Sequence, residues 1–314
     1  MNNEQMNTLC QAFQIGTYRQ DVRQVSGGLM HELFTFSTDT GRYAVKRLNQ
    51  HIMKRADAYL NFQYAEDVAH AAAEEIPALP ALRNNGPLYQ MEGTYYLLFP
   101  WIVGNTLAPE EIQPAHAETI GNVLAALHQL SLDKSHFKKP STSYDKVDWT
   151  AYIRQGRIHN LLWLEQLQTD ERRLRMMEEN LCRSLKKLGN EHVVSHRDLD
   201  PKNVLWTTNG PVLIDWESAG LIHRAVDLFE TACYWSNLGN DAFDRDRFSA
   251  FLYGYQTEQS LPVVDWIYVI DSSVQGKLDW LTFNLDRSLG KHGIPEAEQT
   301  LGTEQVIQTL AELK

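Results

Sequence analysis

The sequence predicts an α+β protein in which a small antiparallel sheet with one helix precedes a larger, mainly helical part. Three observations carry this expectation. Short strand-like runs separated by turn residues crowd the first hundred residues, apolar residues at helical spacing dominate the rest, and a hinge-like Pro100–Gly104 stretch divides the two.

The elements follow in order. Asp21 to Val25 leads into a turn at Ser26-Gly27-Gly28. Glu32 to Ser37, rich in Phe and Thr, reads as a strand, Thr38-Asp39-Thr40-Gly41 as a turn, and Arg42 to Leu48 as the next strand. Residues 54 to 75 carry Ala, Glu and Leu without Pro or Gly, so they predict a helix that Pro77 and Pro80 terminate. Leu88 to Met91 and Thr94 to Phe99, joined at Glu92-Gly93, form a second hairpin. Beyond the hinge, Ile120, Val123, Leu124 and Leu127 fall at i, i+3, i+4 and i+7, the stripe of an amphipathic helix. Residues 150 to 188 are helical in pattern, short strands interrupt around 193 to 216, and Val274, Leu278, Leu281 and Leu285 mark a late helix. The expected division is 1–102 and 103–314.

The bulk properties narrow the function. A chain of 314 residues with 43% hydrophobic and 22% charged residues has the composition of a soluble globular protein. No apolar run approaches the length of a membrane span. The start, MNNEQMNTLCQAFQIG, lacks a basic stretch followed by an apolar one, so no secretory signal is expected. Cys10, Cys182 and Cys233 are scattered, which argues against a zinc site or a disulfide framework and for a reduced, cytoplasmic setting. A net charge of −11 speaks against a nucleic-acid backbone as partner and suits a cationic small substrate, although solubility alone also explains it.

The chemistry concentrates in His196-Arg197-Asp198-Leu199-Asp200-Pro201-Lys202-Asn203-Val204-Leu205, followed after an apolar run by Leu213-Ile214-Asp215-Trp216-Glu217. Phosphoryl transfer to a hydroxyl needs a carboxylate to orient the nucleophile and take its proton. It also needs hard oxygen ligands for the magnesium that neutralises the triphosphate. Asp198, Asn203 and Asp215 supply those groups, with Asp198 as base and Asn203 and Asp215 as magnesium ligands.

At these residues the chain resembles the aminoglycoside phosphotransferase and choline kinase group of small-molecule kinases. HRDLDPKNVL matches its H-x-D-x-x-x-x-N pattern at His196, Asp198 and Asn203. LIDWE matches its I-D-[WF]-E pattern, and IGNVLAALHQL its helix opening the second lobe. The resemblance implies a protein-kinase-like bilobal fold and an ATP- and Mg2+-dependent transfer of the γ-phosphoryl group to a small-molecule hydroxyl. It also implies a structural role for His196 within the loop and for Asp227, in AVDLF, as a brace of that loop.

The first part should hold the nucleotide. Lys46, in Tyr43-Ala44-Val45-Lys46, resembles the strand lysine that pairs with the α- and β-phosphates, and strand alternation sets it with Ala44 on the face opposite Val45 and Arg47. Its expected carboxylate partner on the following helix is Glu66, with Asp67, Glu74 and Glu75 as rivals. Ser26, Gly27 and Gly28 stand where a phosphate-covering loop belongs, although neither G-x-G-x-x-G nor a Walker A motif is present. Pro100 has no N–H, so Ile102 is the expected backbone donor to adenine.

Trp216-Glu217 replaces the Phe-Gly of protein kinases, no A-P-E motif follows, and Ser218 to Asp227 is short for an activation loop. These departures favour a small-molecule acceptor. Glu217, Trp235, Trp280, Asn284 and Arg287 are its candidate contacts, the last three on one helix face opposite a leucine stripe. Aromatic residues also fill cores, so the same residues could be packing. A nucleotide-binding regulator without phosphotransfer and an atypical protein kinase are the alternative readings.

Overall fold

The computed structural model describes the chain except residues 26–29, 133, 138, 238–242, 292–293 and 314. By its internal contacts the chain divides into two compact units, residues 1–116, 122–138 and 194–221 in the first and 117–121, 139–193 and 222–314 in the second.

The first unit begins with a helix, α1 (Asn3–Phe13), closed at its start by a reciprocal capping box between Asn2 and Gln5. Strands β1 (Arg23–Val25), β2 (Glu32–Ser37) and β3 (Arg42–Arg47) follow, then the short helix α2 (Gln50–Met53) and α3 (Ala58–Ala72). β4 (Tyr89–Met91) and β5 (Thr94–Pro100) complete an antiparallel sheet of order β1-β2-β3-β5-β4. The register sets Leu33, Lys46 and Leu97 in one row and Phe34, Val45 and Leu98 in the next. Alternate rows point to opposite faces. Phe34, Phe36, Val45, Tyr96 and Leu98 pack with Met6, Leu9 and Cys10 of α1. Leu97 belongs instead to a second cluster with Leu48, Phe62, Ala81 and Leu88. The sheet therefore buries one face under α1 and turns the other, with Lys46, toward α3.

Helix α4 (Pro114–Gln129) follows, with α5 (Trp149–Ile158) and α6 (Leu164–Ser184) after it. The helical run expected over 150 to 188 is thus two helices, broken where Asn160 takes a positive φ of 50°. Strand β6 (His192–Ser195) precedes the HRDLDPKNVL segment, and β7 (Val204–Thr207) pairs with β8 (Gly210–Leu213) as a hairpin. β9 (Gly220–His223), α7 (Arg224–Trp235), α8 (Arg245–Glu258), α9 (Trp266–Ser272), α10 (Gln275–Ser288) and α11 (Glu296–Glu312) complete the order. The sheet-rich first part and mainly helical remainder give the expected α+β architecture.

The core of the second unit joins Trp149 and Ile153 of α5, Leu167, Leu174 and Leu181 of α6, Leu278, Leu281 and Leu285 of α10, and Val306 and Leu310 of α11. Its two buried indoles each find an acceptor: Trp149 Nε1 donates to Glu178 Oε2 at 3.0 Å and Trp163 Nε1 to Ser288 Oγ at 2.9 Å. Also in this unit, the start of α4 meets α8 backbone to backbone. A Cβ on Gly121 would stand 2.1 Å from Phe251 O, and one on Gly254 would stand 2.0 Å from Glu118 O. Only a residue without a side chain permits that approach.

Gly254→Ala is expected to destabilise the protein by about 3 kcal/mol and lower Tm by roughly 6–12 °C. Gly276→Ala on α10, where a Cβ meets nothing within 4 Å, should leave Tm unchanged or slightly raised. Thermal unfolding followed by circular dichroism compares the two.

Candidate active site

The site assembles within the first unit. The β7–β8 hairpin is tied to the residues after α3 and to the hinge by backbone hydrogen bonds. Leu213 N–H donates to Pro77 O at 2.7 Å, Leu79 N–H to Leu213 O at 2.9 Å, and Trp206 N–H to Asn105 O at 2.8 Å. This bracing brings residues about 170 positions apart into contact. Lys46 Nζ donates to Asp215 Oδ1 at 2.6 Å and to Glu217 Oε2 at 3.0 Å. Burial acts against the charge on Lys46, but Asp215 and Glu217 outweigh it and hold its pKa above the ordinary lysine value. Burial likewise pushes Glu217 up, and Lys46 with the His31 contact overcomes this to keep its carboxyl well below the usual range.

Asp198 is held from within its own loop. Asn203 Nδ2 donates to Asp198 O at 2.8 Å and to Asp198 Oδ2 at 2.9 Å. Both amide hydrogens are thereby used, which leaves Asn203 Oδ1 as the atom that could face a cation. Lys202 Nζ lies 3.6 Å from Asp198 Oδ1 and 3.1 Å from Asp200 Oδ2. Burial raises the Asp198 carboxyl, Lys202 opposes, Asp200 and Asp215 add to the rise, and the outcome is a pKa of about 6. His196 is fully buried. Its Nε2 donates to Ile214 O at 3.0 Å and its Nδ1 accepts from Asp198 N–H at 3.3 Å, so the ring ties the catalytic loop to the strand end before Asp215. Arg197 and Asp215 both take left-handed backbone conformations, each with φ near 63°. Such strain in non-glycine residues persists where the surroundings over-determine the backbone, as at functional sites.

The donor set suits magnesium in its chemistry. Asp215 and Asn203 offer hard oxygens, and among the described residues no group of three or more His, Cys, Asp or Glu forms a closed cage. Magnesium is commonly held by one or two carboxylates together with substrate phosphates and water.

The expected Lys46–Glu66 pair is corrected. Glu66 is buried on α3 and accepts the Ala81 N–H at 2.7 Å, while Lys46 spends its donors on Asp215 and Glu217. Of the rivals, Asp67 pairs with Arg83 at 2.7 Å. Burial raises Glu66 to about 7, against the Ala81 hydrogen bond and the Lys46 charge.

The acceptor candidates also need correction. Trp235 and Asn284 are wholly buried, and Arg287 is buried with its Nε on Glu298 Oε2 at 2.7 Å. Helix α11 packs along α10, so the polar face predicted to be open is covered. Trp280 is half-buried and stacked on Phe283 with ring centroids 5.4 Å apart. Glu217 faces Lys46 and His31. Asp227 lies buried in the first turn of α7, in the second unit. In the hinge, Trp101 N–H is used by Arg42 O at 2.9 Å, whereas the Ile102 N–H makes no hydrogen bond among the described residues. Ser26, Gly27 and Gly28 lie outside the described residues.

Sequence reasoning missed His31. It is buried just before β2, its Nδ1 accepts the Asn49 N–H at 3.0 Å, and its Nε2 stands 3.2 Å from Glu217 Oε2. Its contact is 186 residues away in the chain (217 less 31), so no local pattern announces it.

Residues 21–261 match the Phosphotransferase enzyme family. The chain belongs to that family of phosphotransferases. Among curated protein sequences none matches. Solved structures of like fold include a spectinomycin phosphotransferase in complex with ADP and spectinomycin, at 13% identity and TM-score 0.74, covering 100% of this chain and 97% of that one. A choline kinase from Cryptosporidium parvum aligns at 15% identity and TM-score 0.59, with 98% and 95% covered. An amicoumacin kinase in complex with AMP-PNP, Ca2+ and Ami aligns at 12% identity and TM-score 0.63, with 98% and 93% covered.

Glu66 yields a stability prediction. Its folded pKa of about 7 exceeds the ordinary 4.5, so between those values the folded state binds the extra proton. Wild-type stability should therefore fall as pH rises through that window and level off above it. Glu66→Gln, which keeps an acceptor for Ala81 N–H, should lack this fall. Its advantage over wild type should grow by up to about 3 kcal/mol from pH 4.5 to pH 8, as read from urea unfolding.

Proposed function

We propose that the chain is a cytoplasmic, ATP- and magnesium-dependent kinase that moves the γ-phosphoryl group to a hydroxyl of a small molecule such as an amino alcohol, a sugar or an aminoglycoside. The observation that carries this reading is the Asn203-clamped Asp198, whose carboxyl feels the charge of Asp215, together with the ammonium that Asp215 and Glu217 share. The nucleotides bound in structures of like fold support ATP as donor.

Asp198 acts as base. Its raised pKa of about 6 leaves it ionised at neutral pH, yet more basic than an ordinary aspartate, so it can orient an acceptor hydroxyl and take its proton. Asn203 holds one Asp198 oxygen and leaves the other to the acceptor. Lys46 exchanges a carboxylate for the α- and β-phosphates, and the free Ile102 N–H donates to adenine. Asp215 and Asn203 would hold magnesium, which when present supplies positive charge against the triphosphate oxygens. His196 keeps the loop in place. Residues 1–102 form the nucleotide-binding lobe and 103–314 the catalytic and acceptor-binding lobe.

ADP release from Mg·ATP, measured across amino alcohols, sugars, nucleosides and aminoglycosides, tests this reading. One acceptor class should stimulate release, and Asp198→Asn should fold normally and lose turnover by about 10²–10⁴-fold. Near-wild-type turnover in that variant would overturn the role of Asp198. Tight ATP binding without turnover on any acceptor would favour a nucleotide-binding regulator instead.

A further inference from the structure

A triphosphate that approaches Asp198 meets negative charge. The Asp198 carboxyl already feels Asp200 and Asp215, and all three repel an incoming phosphoryl group. On the nucleotide side Lys46 offsets Asp215. On the acceptor side the charge that offsets Asp198 and Asp200 is Lys202.

Asp200 holds Lys202 at both ends. It caps the short turn Pro201–Asn203, where its Oδ1 accepts the Lys202 N–H at 2.7 Å and its Oδ2 accepts one ammonium hydrogen at 3.1 Å. An ammonium has three hydrogens, so Asp200 leaves two. Nζ stands 3.6 Å from Asp198 Oδ1, longer than a hydrogen bond, and the Lys202 side chain keeps 62% of its surface. Asn203 holds the other Asp198 oxygen, Oδ2, at 2.9 Å. Oδ1 is therefore the oxygen left for an acceptor hydroxyl, and Lys202 borders it. A hydroxyl oxygen about 2.7 Å from Oδ1 can also lie about 3 Å from Nζ. A phosphoryl group arriving at that hydroxyl then presents an equatorial oxygen to the donors that Asp200 leaves.

We infer that Lys202 is a further catalytic residue of this site: its ammonium holds an equatorial oxygen of the γ-phosphoryl group on the acceptor side as the group crosses. In that step the acceptor oxygen bonds to the γ-phosphorus and gives its proton to Asp198 Oδ1. The bond from that phosphorus to the β,γ-bridging oxygen breaks, and its electron pair leaves on ADP. Charge spreads over the equatorial oxygens in between, where a positioned cation stabilises most. The inference rests on the reading of the chain as a kinase with Asp198 as base.

Calorimetric titration of the full-length protein with Mg·AMP-PNP and with Mg·ADP tests it, because only the first carries a γ-phosphate. Lys202→Met should weaken Mg·AMP-PNP about tenfold and leave Mg·ADP within about twofold of wild type. Unchanged Mg·ADP binding doubles as the check that the variant folds. Lys202→Arg, which keeps the charge, should recover most of the loss. In an Asp198→Asn background Lys202→Met should carry the same penalty, since the contact is made to the phosphoryl group directly. Equal effects on the two nucleotides, no effect on either, or a penalty that disappears in the Asp198→Asn background would each overturn the role of Lys202. Two levels are separable. If the wild type binds neither nucleotide, the kinase reading fails and the inference with it. If it binds both and Asp198→Asn loses turnover while Lys202→Met spares Mg·AMP-PNP, only the inference fails.

Discussion

One ammonium group organises the site. Lys46 on β3 holds Asp215 and Glu217, which lie in the turn after β8, and it does so with the charge kept on against burial. Two carboxylates so near each other in a half-buried place would repel, and the cation between them makes their approach favourable. The rest follows from that clamp. Asp215 can hold its left-handed backbone because its side chain is fixed at one end and His196 binds the preceding Ile214 carbonyl at the other. With that turn fixed, Asn203, just before β7 and joined through its carbonyl to Ile214 N–H at 3.0 Å, lands within reach of Asp198.

The arrangement is built for exchange. Lys46, Asp215 and Glu217 satisfy one another in the free protein, as Asn203 and Asp198 do, with groups that a triphosphate and its metal would claim. Preorganisation of this kind avoids bringing solvated charges together at the moment of reaction. Asp215 retains 36% and Asp198 35% of their side-chain surface, which leaves oxygens open to a ligand.

Local pattern carried much of the fold. β2 was legible from alternation and flanking turns, and its predicted span of Glu32 to Ser37 agrees with the structure. Helix α1 escaped notice although Asn2 and Gln5 hold the spacing of a capping box and Met6, Leu9 and Cys10 a buried stripe. The HRDLDPKNVL and LIDWE motifs stood out because their spacing is short. Partnerships were not. Glu66 was the reasonable partner for Lys46 on the next helix, yet the ion pair goes to residues 169 and 171 positions away. The α10 face failed for a related reason: helical periodicity says which residues share a face, but it cannot say whether another helix covers it. Here α11 does, and Asn284 and Arg287 are interior groups.

The role of α1 reaches beyond packing. It covers the sheet face that carries Phe34, Phe36, Val45 and Leu98, the face opposite Lys46. A chain shortened past Phe13 would present that apolar face to water. Such a surface invites self-association between copies. Solubility during expression would then depend on a helix that touches none of the proposed catalytic groups, and a shortened form could precipitate before its chemistry was ever measured.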